Sequence, residues 1–179
     1  MSVSPSKNAV PDDTLTGPDL LRAVFRQHAA GVAVVTATGQ DGSPVGFTAT
    51  SLTSVAAEPP LISFGVGNSS SSWPTIAVAT HVGVHVLAEG QRELAATFAR
   101  SGADRFAPPT RWRPGPSGVP LLEGVLAWMV CRVVARVPAG DHRVVVAEVV
   151  SGDPLAGPHS VEGRRPLLYH QGRFTGLRD

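Results

Sequence analysis

The chain has 179 residues, 42% of them hydrophobic and 16% charged, with a formal net charge of +1 at pH 7. That length carries one well-buried domain, and no shift in composition marks a second. The basic residues are scattered and Lys7 is the single lysine, which argues against nucleic acid as a partner; the lone cysteine, Cys131, excludes an intrachain disulfide and a cysteine-rich metal site.

Residues 1–18, rich in Ser, Pro and Asp, read as a disordered tail without the apolar core of a signal peptide, ahead of one domain over residues 19–179. No apolar run approaches bilayer-spanning length, so a soluble cytoplasmic protein without membrane contact is expected. The stretch DLLRAVFRQHAA, Asp19 to Ala30, places Leu20, Leu21, Val24, Phe25 and His28 at helical spacing, with Gly31 as the stop. GVAVVTAT then reads as a strand and GQDGS as a hairpin turn. The returning strand runs into GFTATSLTS, Gly46 to Ser54, which carries five hydroxyls in nine residues. Hydroxyls gain little on the apolar face of a sheet, so this stretch faces water or a ligand.

Glu58-Pro59-Pro60 breaks the pairing, and LISFGV resumes it. In GNSSSSWPTIAVAT a serine can cap a helix whose first turn accepts Pro74. Capping uses one of Ser69 to Ser72 and leaves three; a helix start ringed by hydroxyls, with Arg105 as a nearby cation, suits an anion such as phosphate. HVGVHVLAE reads as a strand, QRELAATFAR as a second amphipathic helix, and Ser101 to Gly118 as a long loop of the length that is usually functional. VLAWMVCRVVARV and HRVVVAEVV, joined by PAGD, form a long hairpin, and PLLYHQGRF is a last strand. Six or seven strands with short connections make a mainly β, antiparallel barrel with a few short peripheral helices.

Familiar catalytic signatures are weak. Gly65-Val66-Gly67 follows a strand, but a third glycine and the acidic residue of a dinucleotide fingerprint are missing, so it reads as a flexible turn. His81 and His85 are four apart on a strand, roughly 13 Å, too far to share one metal, and no metal site is expected. No Gly-x-Ser-x-Gly is present.

The ordered series GVAVVTA, GSPVGFTATSLTSVAAEPPLISFGVG, SSSSWP, LAATFA, DRF, GDH and PLLYHQGRF resembles the short flavin reductases that partner two-component flavin-dependent monooxygenases, from about Leu20 to Phe174. The resemblance implies a flavin-binding split barrel, an antiparallel split β-barrel, that forms a homodimer. It implies NADH or NADPH as reductant of FMN or FAD, and a separate monooxygenase that receives the reduced flavin. A flavin-binding module that does not reduce its ligand, or an enzyme with a tightly bound prosthetic flavin acting on another substrate, needs the same pocket.

Carried over by position, Thr48, Ala49, Thr50 and Ser51 would offer backbone N–H groups and hydroxyls along the flavin, and a bulky residue at Ala49 would block it. Ser63 and the backbone of Phe64 would line the pocket; Ser70, Ser71 and Trp73 would lie near the phosphate. Phe98, Arg105 and Phe106 match the elements that cover the flavin from one side, Phe98 reading equally as a helix core residue. His142 matches a histidine beside the nicotinamide, and Tyr169 an aromatic beside the ring. Phe174 stands where such chains often carry tyrosine.

Overall fold

The computed structural model describes residues 15–156 and 165–177, so the predicted tail falls outside it up to residue 14. Helix α1 covers Gly17–Gln27; it ends before Gly31 because His28 already takes extended backbone (φ −85°, ψ 115°) to enter the sheet. The strands follow the β-branched runs: β1 Ala30–Gly31, β2 Ala33–Thr38, β3 Pro44–Ala49, β4 Thr53–Ala56 and β5 Leu61–Gly67. A four-residue helix, α2 (Trp73–Ile76), precedes β6 (His81–Val86), and α3 spans Arg92–Ala99. The long loop holds one short strand, β7 (Trp112–Pro114), which pairs with β8 (Pro120–Leu122) just beyond it. The predicted hairpin is β9 (Ala127–Ala139) with β10 (His142–Asp153), turning on Gly140 at φ +60°. The expected single C-terminal strand is instead a second hairpin, β11 (Leu168–His170) and β12 (Arg173–Thr175). Its two central residues, Gln171 and Gly172, both take positive φ (50° and 79°), the type I′ geometry that matches strand twist.

Seven strands form one sheet in the order β3-β2-β6-β9-β10-β5-β4, with every pairing antiparallel. The protein is thus mainly β with few helices. Strands β3 and β5 stand far apart in that order, yet the Phe47 and Phe64 rings lie 6.2 Å apart and share a core with Val35, Ile62, Val84 and Val145. The sheet therefore curls around its core while β3 and β4 remain its unpaired edges. Strand β2 is covered on both faces: Val35 joins that core, and Val34 joins a second one with Leu87, Ala95, Phe98 and Leu167 beneath α3.

His85 crosses this layer. Its Nδ1 lies 3.0 Å from the Val34 carbonyl oxygen, and its Nε2 accepts the Leu122 N–H at 3.1 Å. Both bonds require the neutral ring protonated on Nδ1, and burial pushes the imidazole pKa down to about 4. His81 and His85 both lie on β6, the strand expected for them; no group of three or more His, Cys, Asp or Glu side chains that could hold a metal ion occurs among the described residues.

Candidate functional site

Strand β3 pairs with β2 on one side and leaves its other edge free. The Gly46 carbonyl points to that free edge, where it accepts from Ser72 Oγ (3.0 Å) and Arg105 Nη1 (2.9 Å). Backbone groups on an antiparallel strand alternate sides, so Thr48 turns its N–H and C=O to the same edge. A cavity of about 340 Å³ opens at the Gly46 end, lined by Ser71, Ser72, Arg105 and Phe106. Another of about 640 Å³ opens at the Thr50 end, lined by Thr50, Ser51, Leu52, Thr53, Tyr169, Phe25 of α1 and His28 just after that helix. Four extended residues separate the two ends, about 13 Å.

Arg105 carries the electrostatics. Its Nη1 also lies 3.2 Å from Ser71 Oγ and from Ser72 Oγ, and its Nη2 donates to the Arg100 carbonyl at 2.8 Å. The Nε is buried without a partner, and no carboxylate pairs with this guanidinium among the described residues. Burial draws its pKa below the ordinary arginine value, which marks a cation held out of water without a counter-charge. A phosphate is the counter-ion that such a fork and a serine turn accommodate.

The hydroxyls of the opening stretch divide. Thr48 Oγ1 donates inward to the Ala95 carbonyl (2.6 Å), which corrects the expectation that this hydroxyl faces a ligand; it ties β3 to α3 and leaves only backbone at the edge. Ser51 Oγ accepts the Gly65 N–H at 2.8 Å, and Thr50 is exposed to the larger cavity. Ala49 and Phe64 point into the core, so a bulky side chain at 49 meets core packing rather than a ligand. Ser63 sits half-buried on β5 opposite Thr53. Gly65-Val66-Gly67 is part of β5, not a flexible turn.

Ser72, at the start of α2, makes no side-chain cap, because its hydroxyl is spent on Gly46; four residues are also too short for a helix-end anion site. Arg105 Nη1 and Ser71 Oγ, 3.2 Å apart, are the polar groups left at this end of the strand. Ser70 Oγ accepts the Ser72 N–H at 3.3 Å, and Trp73 packs against the core with Arg143 5.8 Å above its ring. Phe98 is fully buried, and Phe106 stacks edge-on between it and Trp112 (5.2 and 5.5 Å). Tyr169 meets Phe174 edge-on at 5.4 Å, which gives the phenylalanine at that position a packing role.

His142 lies over Gly65 and Gly67 beside Ser51: a methyl group on Gly67 would sit 3.7 Å from its Nε2. Its Nδ1 is 2.7 Å from Asp141 Oδ1, and that hydrogen bond holds the Asp141 carboxyl below the usual carboxylate range. Sequence reasoning gave no site role to Asp141, Gly46, Phe25 or His28, and took Ser72 only as one of the Ser69 to Ser72 cluster. Phe25 and His28 stood in plain view as members of the apolar stripe read from the sequence, but nothing local says that the stripe ends in a cavity.

Gly46 is a further constraint. A methyl group there would lie 2.9 Å from Phe98 Cε1 and 2.9 Å from the Val35 carbonyl oxygen. The expected result for Gly46→Ala is a loss of about 1–3 kcal/mol in urea unfolding, with weaker binding of any ligand held by Arg105, because its Gly46 acceptor shifts.

A cation and serines at one end of β3 and a wide, aromatic-edged cavity at the other give two separate spaces, which suit an anion and a planar group. Comparison with known proteins agrees. The flavin reductase like domain family matches residues 25–178. The chain is 42% identical over 153 residues to the NADH:FMN oxidoreductase of Rhodococcus erythropolis, covering 86% of this chain and 78% of that one. It is 37% identical over 162 residues to HsaB, the reductase subunit of a flavin-dependent monooxygenase of Mycobacterium tuberculosis, covering 89% and 82%. The structure of the Streptomyces globisporus NADH:FAD oxidoreductase SgcE6 in complex with NAD and FAD fragments superposes with a TM-score of 0.79 at 32% identity, over 92% of this chain and 96% of that one. The chain belongs to the flavin reductase family, and it is an oxidoreductase of flavin.

Proposed function

We propose that the protein uses NADH to reduce FMN or FAD and releases the reduced flavin to a separate flavin-dependent monooxygenase. The observation that carries this reading is the half-buried Arg105, without a carboxylate partner, at the end of the free β3 edge. Arg105 and Ser71 would hold the phosphate, the Thr48 backbone would line the chain of the ligand, and Thr50, Ser51 and Tyr169 would line the space for the ring. Bound flavin and nicotinamide supply the redox chemistry, a hydride moving from C4 of the nicotinamide to N5 of the flavin.

The protein's own part is position and dryness. Ser51, held by the Gly65 N–H, fixes the bend between β3 and β4 against β5. His142, with Nδ1 on Asp141, lies over Gly65 and Gly67 of β5, where it would orient the nicotinamide; its loss should slow turnover without abolishing it. No acid–base pair is required, which fits a site built mainly from backbone and small side chains.

The curled sheet and the closeness of Phe47 to Phe64 support the split-barrel reading. A homodimer is supported by apolar side chains left exposed on α1 (Leu20, Leu21, Val24) and on the β9–β10 hairpin (Val134, Val137). No helix among the described residues is long and apolar enough to cross a membrane; the cytoplasm, which holds the reduced nicotinamide pool, is the proposed location.

A released substrate must not be held too tightly. The purified chain is therefore expected to oxidise NADH only when FMN or FAD is added, with NADPH slower. Steady oxidation without added flavin would point to a prosthetic group, and none with any flavin would reduce the protein to a binding module.

A further inference from the structure

A cavity of about 370 Å³ lies between the start of α3 and the β11–β12 hairpin, lined by Arg92, His170, Gln171, Arg173, Phe174 and Thr175. None of its polar side chains has a part in the site described above. Register sets it apart from the cavity of Thr50 and Ser51. Tyr169 pairs with Phe174, and the next pair, His170 with Arg173, points to the other face of the hairpin because side chains alternate along a strand. Tyr169 lines the one cavity; His170 and Arg173 line the other.

The charge of this second space is one-sided. Two guanidiniums line it, and among the described residues no carboxylate does. Arg173 has no carboxylate partner among those residues. Arg92 meets Glu89 at 3.5 Å, but that contact lies largely in solvent and is weak, which leaves the guanidinium able to turn to a stronger acceptor. His170 adds a ring N–H in either tautomer, Gln171 an amide, and Thr175 a hydroxyl whose contact with the Gly176 carbonyl is long, 3.5 Å. Donors from two separate elements, the start of α3 and the hairpin, thus face one space. Guanidiniums bind oxyanions through paired N–H groups. A carboxylate has two oxygens in one plane and would satisfy one arginine; a tetrahedral phosphate has oxygens for both elements at once.

We propose that this cavity binds a phosphate group, as the free ion or as the ribose phosphate that distinguishes NADPH from NADH.

Calorimetry with inorganic phosphate measures the site in the full chain, without flavin or nicotinamide. Binding is expected with a Kd on the order of 1 mM, and about tenfold weaker in Arg92→Ala and in Arg173→Ala, because each loses one charged donor. Arg22→Ala removes the same charge on α1, beside Asp19, and should bind phosphate as the unaltered chain does. Arg105→Ala separates the two anion sites: binding that persists in it and weakens in Arg173→Ala belongs to this cavity. The proposal is overturned if phosphate gives no saturable heat, or if Arg92→Ala and Arg173→Ala weaken it no more than Arg22→Ala does. A loss seen only in Arg105→Ala would put the ion at that site and overturn it equally. With FMN as acceptor, the ratio of KM for NADPH to KM for NADH identifies the source. A ratio that rises in Arg173→Ala assigns the phosphate of the dinucleotide, and an unchanged ratio leaves the free ion as the ligand. If the chain oxidises neither nucleotide, it is the functional reading that has failed, and the calorimetry still decides this cavity.

Discussion

Replacing Arg105 by alanine should weaken FMN binding about 10- to 100-fold while leaving riboflavin binding nearly unchanged. The size follows from one charged donor to phosphate, about 1.5–3 kcal/mol when desolvated. The contrast with riboflavin, which has no phosphate, separates recognition from scaffolding. Arg105 also donates to the Gly46 and Arg100 carbonyls, and a collapse of those contacts would harm both ligands alike. Arg105→Lys keeps the charge but loses the fork that reaches Gly46, Ser71 and Arg100 together, so it should recover only part of the difference. Fluorescence titration of each protein with FMN and riboflavin measures it. An equal loss for both ligands would remove Arg105 from the phosphate site.

Folding stability should fall by about 2 kcal/mol between pH 7.5 and pH 5 through His85 alone. The folded ring has a pKa of about 4 against an ordinary 6.5, because it is buried in the neutral form between Val34 and Leu122. Between those values the unfolded chain takes up a proton that the native state refuses. The stabilisation is therefore complete above pH 6.5 and is lost as pH falls toward 4. Most of this interval lies above the range where carboxylates ordinarily protonate, which isolates the histidine. Urea unfolding at several pH values measures the slope, and His85→Gln should flatten it at the cost of a lower starting stability. Should that variant fail to fold, NMR titration of the His85 ring in the unaltered chain reads the same quantity; titration near 6.5 would refute the assignment.

Much of the strand pattern was legible because it is local. GVAVVTAT, LISFGV and the two C-terminal runs carry β-branched periodicity that no neighbour needs to supply, and GQDGS and PAGD carry their turns. QRELAATFAR shows its helix in the same way. The PLLYHQGRF hairpin escaped because Gln171 gives no sign that it will adopt positive φ, a conformation imposed by pairing with β12. Gly65-Val66-Gly67 misled for the opposite reason: two glycines read as a turn, while pairing with Val144 and His142 holds them extended.

The sequence by itself determined a β-rich chain, its segment order, the hydroxyl-rich stretch within it and, through the order of its short motifs, a flavin reductase. Tertiary structure decided which groups are free to act. Thr48 and Ser72 look alike in the sequence as exposed hydroxyls, yet one is spent on Ala95 and the other on Gly46, carbonyls 47 and 26 residues away. Arg105 reads in the sequence as a cation that could join the serines; folding adds that it is half-buried beside them, with no acid partner among the described residues. Hydroxyls and cations take their roles from partners distant in the chain, because desolvation and hydrogen bonding act through space and not along sequence.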